Sequence, residues 1–207
     1  MRGSRAMRWI ENIAELEAIY GEPGSASLNK VADRLTPGYR KWIMASRFCV
    51  VSTVGATGTD GSPRGDDGPV VLELDEQTLA MPDWRGNNRM DTIRNIVEDG
   101  RISLMFMVPG SNTIVRVNGF ARMTVDDDLR ARFEFKGRQP RSVIVIRIGE
   151  VYTQCARAPM RARLWTSGDE SEGLPSAGDI LAEMTDGAEG GKPYDDGWLA
   201  RAKETMW

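Results

Sequence analysis

Residues 81–96 read Met-Pro-Asp-Trp-Arg-Gly-Asn-Asn-Arg-Met-Asp-Thr-Ile-Arg-Asn-Ile. This order predicts the end of a strand, a tight loop and the start of a helix. Asn88 is of the type preferred at a helix N-cap, with Asp91 three residues later in capping-box-like spacing. Arg89 would then lie in the first turn, where a cation is unfavourable beside the positive end of the helix dipole. A bound phosphate removes that conflict; the alternative is a capped surface helix with an isolated arginine.

Three further motifs lie elsewhere in the chain. They are Ser-Pro-Arg-Gly-Asp-Asp-Gly-Pro at residues 62–69, Arg-Val-Asn-Gly at 116–119 and Cys-Ala-Arg-Ala-Pro-Met-Arg-Ala-Arg-Leu-Trp at 155–165. With Pro-Asp-Trp-Arg-Gly-Asn-Asn-Arg at 82–89, they resemble the FMN-binding split-barrel proteins related to pyridoxamine phosphate oxidase. The resemblance spans about residues 48–165. It is strongest to a bacterial branch that carries SPRGD, PDxxGNxR, RVxG and CxKAxxRxxLW motifs in this order.

The pattern of apolar and β-branched residues predicts about six antiparallel strands. They span residues 48–54, 70–74, 78–81, 102–108, 113–125 and 143–155, whereas residues 55–68 are predicted to form a glycine-rich loop. Hairpin connections and one crossing helix indicate a closed antiparallel barrel. The resemblance implies a mainly β fold with flanking helices, an FMN-binding split β-barrel of Greek-key topology with helical N- and C-terminal extensions.

Helical patterns on both sides of the strands predict three regions. Thr36 followed by Pro37 is typical of an N-cap and a first helical position. Residues 1–46 are therefore predicted to be a helical segment packed on the barrel, and residues 47–165 to be the FMN-binding split-barrel domain. Residues 166–207 are rich in polar residues and glycine, which indicates a polar linker and a helical tail.

The composition excludes several kinds of chemistry. The 207 residues contain no histidine, which rules out a histidine-ligated zinc, a haem with a proximal histidine and a Ser-His-Asp triad. Cys49 and Cys155 do not make a disulfide framework. The net charge is −3 and no basic block dominates, which disfavours nucleic-acid binding. No apolar run approaches the roughly 18 residues that span a bilayer, so we predict a cytoplasmic protein with no membrane partner.

The resemblance also implies which residues surround the cofactor. They are Asn87, Asn88, Arg89 and Thr92 at the phosphate, Pro82 and Asp83 beside the ribityl chain or the ring, and Arg64, Gly65 and Asp66 at the isoalloxazine. From the residues alone, Arg64 and Asp66 are also consistent with a surface ion pair, while Pro63 and Gly65 favour a shaped loop. Both interpretations stay open at this point.

Three more residues are assigned by the resemblance to act across a homodimer that holds FMN at its interface: Arg116, Arg161 and Trp165. Arg116 lies in an otherwise apolar strand, where a charge needs a partner or a ligand. Arg161 is equally typical of a solvated helix, and Trp165 of a packing residue.

The function implied by the resemblance is that of an FMN-binding flavoprotein. An FMN-dependent oxidoreductase or reductase acting on an unidentified small molecule, with NAD(P)H as a possible donor, is the first expectation. The alternatives are a flavin-binding sensor or storage protein without turnover, and a deazaflavin-dependent reductase. Gln154-Cys155 stands where the similar proteins carry His-Cys, and Arg157 stands where lysine is usual. A pyridoxamine phosphate oxidase itself is not expected, because its C-terminal substrate signature is not visible.

Overall fold

A computed structural model describes residues 7–207 of the chain, which divides into two compact units at Val31 and Ala32. The first unit contains helices α1 (Ile13–Tyr20) and α2 (Ser25–Asn29). The Asn12 side chain caps α1 by accepting a hydrogen bond of 3.0 Å from the backbone N–H of Glu15. Residues 1–6 of the predicted segment 1–46 lie outside the described residues. The domain boundaries at 46 and 165 stay predictions.

The second unit is an antiparallel sheet with helices around it. Its strands are β1 (Phe48–Gly55), β2 (Gly58–Gly65), β3 (Leu72–Asp75), β4 (Thr78–Asp83), β5 (Arg101–Met107), β6 (Ile114–Thr124) and β7 (Ser142–Gln154). Its helices are α3 (Pro37–Met44), α4 (Asp91–Glu98), α5 (Asp127–Ala131), α6 (Arg157–Arg161), α7 (Ala177–Met184), α8 (Gly191–Asp196) and α9 (Trp198–Thr205). The mainly β class with flanking helices is thereby confirmed.

The strands form one seven-stranded sheet in the order β2-β1-β5-β6-β7-β4-β3. The sheet has one strand more than the six located from the sequence, because residues 55–68 were predicted to form a loop and β2 lies within them. β2 pairs with β1 along its whole length, from Gly55 opposite Gly58 to Phe48 opposite Gly65. It is an edge strand, and only an edge readily accepts glycine and a proline such as Pro63 within a ladder. Its weak β-propensity therefore concealed a real strand.

The sheet curls around a single hydrophobic core. Strands on both sides of the sheet contribute buried side chains, for example Val51 of β1 and Leu79 of β4. The long central strands β6 and β7 contribute to the same core. Phe106 of β5 is the largest fully buried side chain. Ile43 of α3 and Ile96 of α4 belong to the same core. These two helices are therefore packed against the sheet.

The N-terminus of α3 forms as predicted. Thr36 is its N-cap, and its side-chain oxygen accepts a hydrogen bond of 3.4 Å from the backbone N–H of Tyr39, with Pro37 in the first turn. α4 is held against β1 by Asn95, whose amide donates to the hydroxyl of Thr53 at 3.1 Å. This buried polar pair fixes the helix that follows the loop after β4.

Candidate functional site

A cleft of about 540 Å³ lies where β2 faces β4. These strands are not neighbours in the ladder, since four strands separate them in the sheet order. The curvature of the sheet nevertheless brings Arg64 of β2 to Asp83 of β4, with Nη1 and Oδ1 2.6 Å apart. Side chains rather than backbone hydrogen bonds thus bridge this side of the sheet, which leaves room for a ligand.

Arg64 is the most constrained cation of the cleft. Its side chain is only 19% exposed, and that of its partner Asp83 is 12% exposed. The ion pair uses one nitrogen, whereas the buried Nε atom of Arg64 has no hydrogen-bond partner among the described residues. A buried donor without an acceptor costs about 1–3 kcal/mol. This unpartnered donor therefore belongs to a residue that lines the cleft.

Asp66 and Trp84 form a second bridge across the cleft. The indole Nε1 of Trp84 donates to the carboxylate Oδ2 of Asp66 at 2.9 Å. The backbone N–H of Asp66 donates to the carbonyl of Arg47 at 3.0 Å, which ties the segment after β2 to the start of β1. Asp66 is therefore held in place rather than free in solvent, and it presents an acceptor beside an aromatic wall.

The loop between β4 and α4 differs from its predicted geometry. The predicted N-cap at Asn88 was wrong: α4 begins at Asp91, and its N-cap position, Met90, makes no side-chain cap. Asn88 has a φ of 61°, whereas an N-cap residue has extended backbone. Its side-chain oxygen accepts a hydrogen bond of 2.6 Å from Arg141 instead. Arg89 consequently precedes the helix and does not lie in its first turn.

Arg89 lies at the outer end of the cleft. Its Nε atom is 2.5 Å from Oδ2 of Asp91, and its side chain is 80% exposed. The hydrogen bond with Asp91 raises the pKa of Arg89 above its ordinary value, so the guanidinium stays charged. The Asn87 side chain accepts a hydrogen bond from the Arg89 backbone N–H at 3.0 Å. The outer end of the cleft thus combines a solvated cation with a shaped loop.

The structure brings most of the predicted cofactor residues to this one cleft. They are Arg64, Gly65, Asp66, Pro82, Asp83, Asn87, Asn88 and Arg89. Thr92 is not among the lining residues; it is buried, and its hydroxyl hydrogen-bonds the carboxylate of Asp60. Thr92 therefore fastens α4 to β2 and does not face the cleft.

The residues predicted to act across a dimer lie elsewhere on the second unit. Arg116 is in the middle of β6, its guanidinium carbon 5.4 Å from the ring centroid of Tyr152, and its buried Nε has no partner among the described residues. Arg161 is the last residue of α6 and is exposed. Trp165 donates from Nε1 to the carbonyl of Ser111 at 2.8 Å. None of the three lines the cleft.

Several residues of the cleft were not predicted from the sequence. Arg141 lies directly before β7, and the register places Ser142 opposite Asp83. The pairing of β4 with β7 would have located Arg141, but the sequence does not reveal which strands pair. Trp84 lies within the motif at residues 82–89 but had no predicted role. Met206 belongs to the C-terminal segment, which was predicted to be a linker and a helical tail.

Cys49 is excluded as a reactive group in the barrel. It lies on β1 opposite Arg64 and is fully buried. Burial raises the pKa of its thiol to about 12, although the Arg64 charge acts in the opposite direction. Because the thiolate is the nucleophile, Cys49 is inert near neutral pH.

Two other kinds of site are absent from the described part of the chain. Residues 7–207 contain no group of three or more cysteine, aspartate or glutamate side chains placed to hold a metal ion. Within the same residues, no helix is long and apolar enough to cross a bilayer.

The family model for pyridoxamine 5'-phosphate oxidase matches residues 35–155, more than half of the chain. The chain belongs to this family. The match runs from the end of the segment before α3 to the end of β7, and it includes both walls of the cleft. Membership of the pyridoxamine 5'-phosphate oxidase family confirms the predicted resemblance at the level of the family, while the bacterial branch with its motifs stays a prediction. No curated protein is similar enough to the chain to count as a match.

Several solved structures are similar to part of the chain. HupZ of Group A Streptococcus has 18% sequence identity over 57% of this chain and 93% of its own, with a TM-score of 0.48. General Stress Protein 26 of Bacillus anthracis has 16% identity over 55% of this chain and 88% of its own, with a TM-score of 0.41. The FAD binding protein of Mycobacterium smegmatis has 13% identity over 59% of this chain and 97% of its own, with a TM-score of 0.41.

Proposed function

We propose that the chain is a flavoprotein that binds FMN in the cleft between β2 and β4. The observation that carries this proposal is the buried Nε of Arg64, a donor without an acceptor in a cleft of the matched family region. The heteroatom edge of an isoalloxazine would supply that acceptor. Pro63, Met81 and Trp84 add apolar lining suited to a ring system. The residues present therefore fit the cofactor.

The outer end of the cleft suits the phosphate of FMN. Arg89 and Arg141 both line it, and Asn88 joins them through the hydrogen bond that it accepts from Arg141. Guanidinium groups bind phosphate oxygens through charge-assisted hydrogen bonds, which are stronger than neutral ones. The exposed Arg89 at one end of the cleft and the largely buried, ion-paired Arg64 at the other would orient FMN, with its phosphate toward solvent and its ring toward Arg64.

The proposed activity is that of an FMN-dependent oxidoreductase acting on a small molecule, with NAD(P)H as donor. When bound, a flavin supplies hydride and electron transfer. Arg64 holds a fixed positive charge at the inner end of the cleft, which stabilises negative charge developing there. Asp83 keeps that guanidinium oriented, and Trp84 restricts water on one side. The chain itself needs no titrating acid for these roles.

The test of this function is a titration of flavin-free protein with FMN, followed by absorbance and fluorescence. We expect one FMN per chain. Arg89→Ala should weaken the affinity about threefold to tenfold, because an exposed charged contact to phosphate is lost. Arg34→Ala is the matched control, since Arg34 also pairs with a neighbouring aspartate but lies outside the cleft. Absence of FMN binding refutes the proposal.

Two further measurements separate the kinds of flavoprotein. Bleaching of the flavin absorbance by NADH or NADPH under anaerobic conditions is expected of an oxidoreductase, and its absence would indicate a sensor or storage protein. Mass spectrometry of the chromophore released from protein purified from its source distinguishes FMN from a deazaflavin. Cytoplasmic residence stays a prediction.

Flavin reduction by NADPH should depend little on pH. No histidine is present, and burial moves the pKa of Cys49 to about 12, far above the working range. Fixed charges are therefore expected to assist the reaction, with a rate that varies by less than about twofold from pH 6 to 8. Stopped-flow absorbance measures this rate. A bell-shaped profile would contradict the fixed-charge account.

We also propose that the protein is a homodimer formed through the outer face of β1, β5, β6 and β7, and the location of FMN at the dimer interface stays a prediction. An open groove of about 810 Å³ crosses this face, and Phe120 on its edge is 62% exposed. Arg116 lies on the same side of β6 as Asn118, which lines that groove, and its buried Nε lacks a partner among the described residues. A second copy on this face would cover the exposed ring of Phe120.

Sedimentation equilibrium tests the dimer. The expected interface buries on the order of 2,000 Å² or more, as is usual for obligate dimers, so the dimer should persist at micromolar concentration. Phe120→Asp should shift the equilibrium toward monomer because it introduces a charge into an apolar contact. A folded wild-type monomer at micromolar concentration with flavin bound would contradict the proposal.

A further inference from the structure

A side groove continues from the cleft along the C-terminal segment. One part of it, about 450 Å³, is lined by Arg85, Arg138, Gln139, Arg141, Glu204 and Trp207. The other part, about 460 Å³, is lined by Lys136, Arg138, Lys203, Met206 and Trp207. Arg85, Arg141 and Met206 also line the cleft between β2 and β4. The side groove and the cleft are therefore one continuous surface.

The side groove carries a positive charge that its surroundings do not neutralise. Its cations are Arg85, Lys136, Arg138, Arg141 and Lys203, whereas Glu204 is its only acidic lining residue within residues 7–207. Among the described residues, none of these cations pairs with the side chain of an aspartate or a glutamate. Other arginines of the same chain do pair, and the net charge of the chain is −3. A local excess of cations in an acidic protein indicates an anionic ligand.

The walls of the side groove are held in place by specific contacts. Arg138 donates from Nη1 to the carbonyl oxygens of Glu204 and Trp207, at 3.0 and 2.9 Å. The Trp207 ring packs edge-on against Trp84, with centroids 5.4 Å apart, and tilted against Phe135 at 4.7 Å. The tail is thus fastened beside the cleft, and it adds aromatic surface next to the cations.

We propose that the side groove binds the phosphates of a nicotinamide dinucleotide phosphate whose nicotinamide end enters the cleft. This inference rests on the proposed flavin-dependent function, because it names the donor of that reaction. Guanidinium and ammonium groups recognise phosphate, and an aromatic wall suits a purine ring. A pyrophosphate carries two charges, and a phosphomonoester adds about 1.5–2 more. With Arg141 assigned to the FMN phosphate, Arg85, Lys136, Arg138 and Lys203 remain in the side groove. Four cations suit the more highly charged phosphorylated dinucleotide better than its unphosphorylated counterpart.

Isothermal titration calorimetry with NADP⁺ and NAD⁺ tests the proposal without turnover. The protein is titrated with and without FMN, and inorganic phosphate is added as a competitor. We expect NADP⁺ to bind at least about tenfold more tightly than NAD⁺ at low salt, with the difference reduced at 0.5 M salt because exposed charges are screened. Inorganic phosphate should weaken NADP⁺ more than NAD⁺.

The decisive variant is Lys136→Gln combined with Lys203→Gln, which removes two cations that do not line the flavin cleft. It should weaken NADP⁺ binding about tenfold, since two charged contacts to phosphate are lost, and leave FMN affinity and the melting temperature unchanged. Arg138→Gln should weaken NADP⁺ similarly. Arg122→Gln, an exposed arginine outside both surfaces, is the matched control.

The outcomes separate this inference from the proposed function. Equal affinities for NADP⁺ and NAD⁺, or unchanged NADP⁺ affinity in the double lysine variant, would overturn the side-groove assignment even if FMN binds. NADP⁺ binding that depends on the lysines while FMN fails to bind would support the groove and refute the flavin function. The calorimetric readout distinguishes these cases because it does not require a reaction.

Discussion

Arg64→Gln is expected to weaken FMN binding about tenfold to hundredfold, because a charge-assisted hydrogen bond contributes roughly 1.5–3 kcal/mol. Arg64 is the partly buried cation of the cleft, and its Nε has no other acceptor among the described residues. The midpoint potential of the bound flavin should also fall, since negative charge in the cleft loses a nearby guanidinium. Fluorescence titration and a spectroscopic redox titration measure the two effects.

The control for Arg64 is Arg40→Gln. Arg40 forms a bidentate pair with Glu73, at 2.7 and 2.8 Å, and lies outside the cleft. A loss of stability in Arg64→Gln is expected as well, because Asp83 keeps a poorly solvated carboxylate without its partner. Arg64→Gln combined with Asp83→Asn should recover stability without recovering the potential. Unchanged FMN affinity and potential in Arg64→Gln would contradict the assignment of Arg64 to the ring.

Gly119→Ala should destabilise the protein by about 2–3 kcal/mol, within the range for forced overpacking. The register between β6 and β7 shifts after Asn118, where β7 has an extra residue, Gly149. A Cβ atom on Gly119 would lie 2.0 Å from the carbonyl oxygen of Arg147, which is backbone and cannot move aside alone. The glycine of the Arg-Val-Asn-Gly motif is therefore explained by a β-bulge.

Urea unfolding followed by circular dichroism measures the Gly119 effect. Gly61→Ala is the matched control, because Gly61 is also a strand glycine and a Cβ there meets nothing within 4 Å. The control should unfold at nearly the wild-type urea concentration. If Gly119→Ala unfolded at the same midpoint as Gly61→Ala, the bulge would be more adaptable than the close contact implies.

The sequence predicted those strands whose residues resemble a buried sheet. β1, β5 and β7 are rich in valine, isoleucine and leucine, and their burial alternates along the strand. β2 was missed because its glycines, its proline and its polar residues carry no such pattern. Its strand conformation depends on pairing with β1, and this pairing cannot be read from the residues of β2 alone. β-Propensity therefore predicted the strands that carry an apolar pattern and failed for the edge strand β2.

The candidate site was predictable only as separate motifs. Arg64 and Asp83 were both named from the sequence, yet their ion pair depends on the curvature of the whole sheet. The side chain of Asn88 was assigned to cap a helix, but the distant Arg141 uses it instead. Family resemblance supplied the residue types, whereas the contacts among them required the paired strands.

The edge position of β2 has a consequence for how a ligand enters. One face of the cleft belongs to a strand with a single neighbour in the ladder, so this wall can separate from β4 by breaking side-chain contacts such as Arg64–Asp83 and Asp66–Trp84. Such a breathing motion leaves the central strands paired and requires far less free energy than global unfolding. We therefore expect the residence time of a bound ligand to depend on the hairpin of β1 and β2 and not on the overall stability of the sheet.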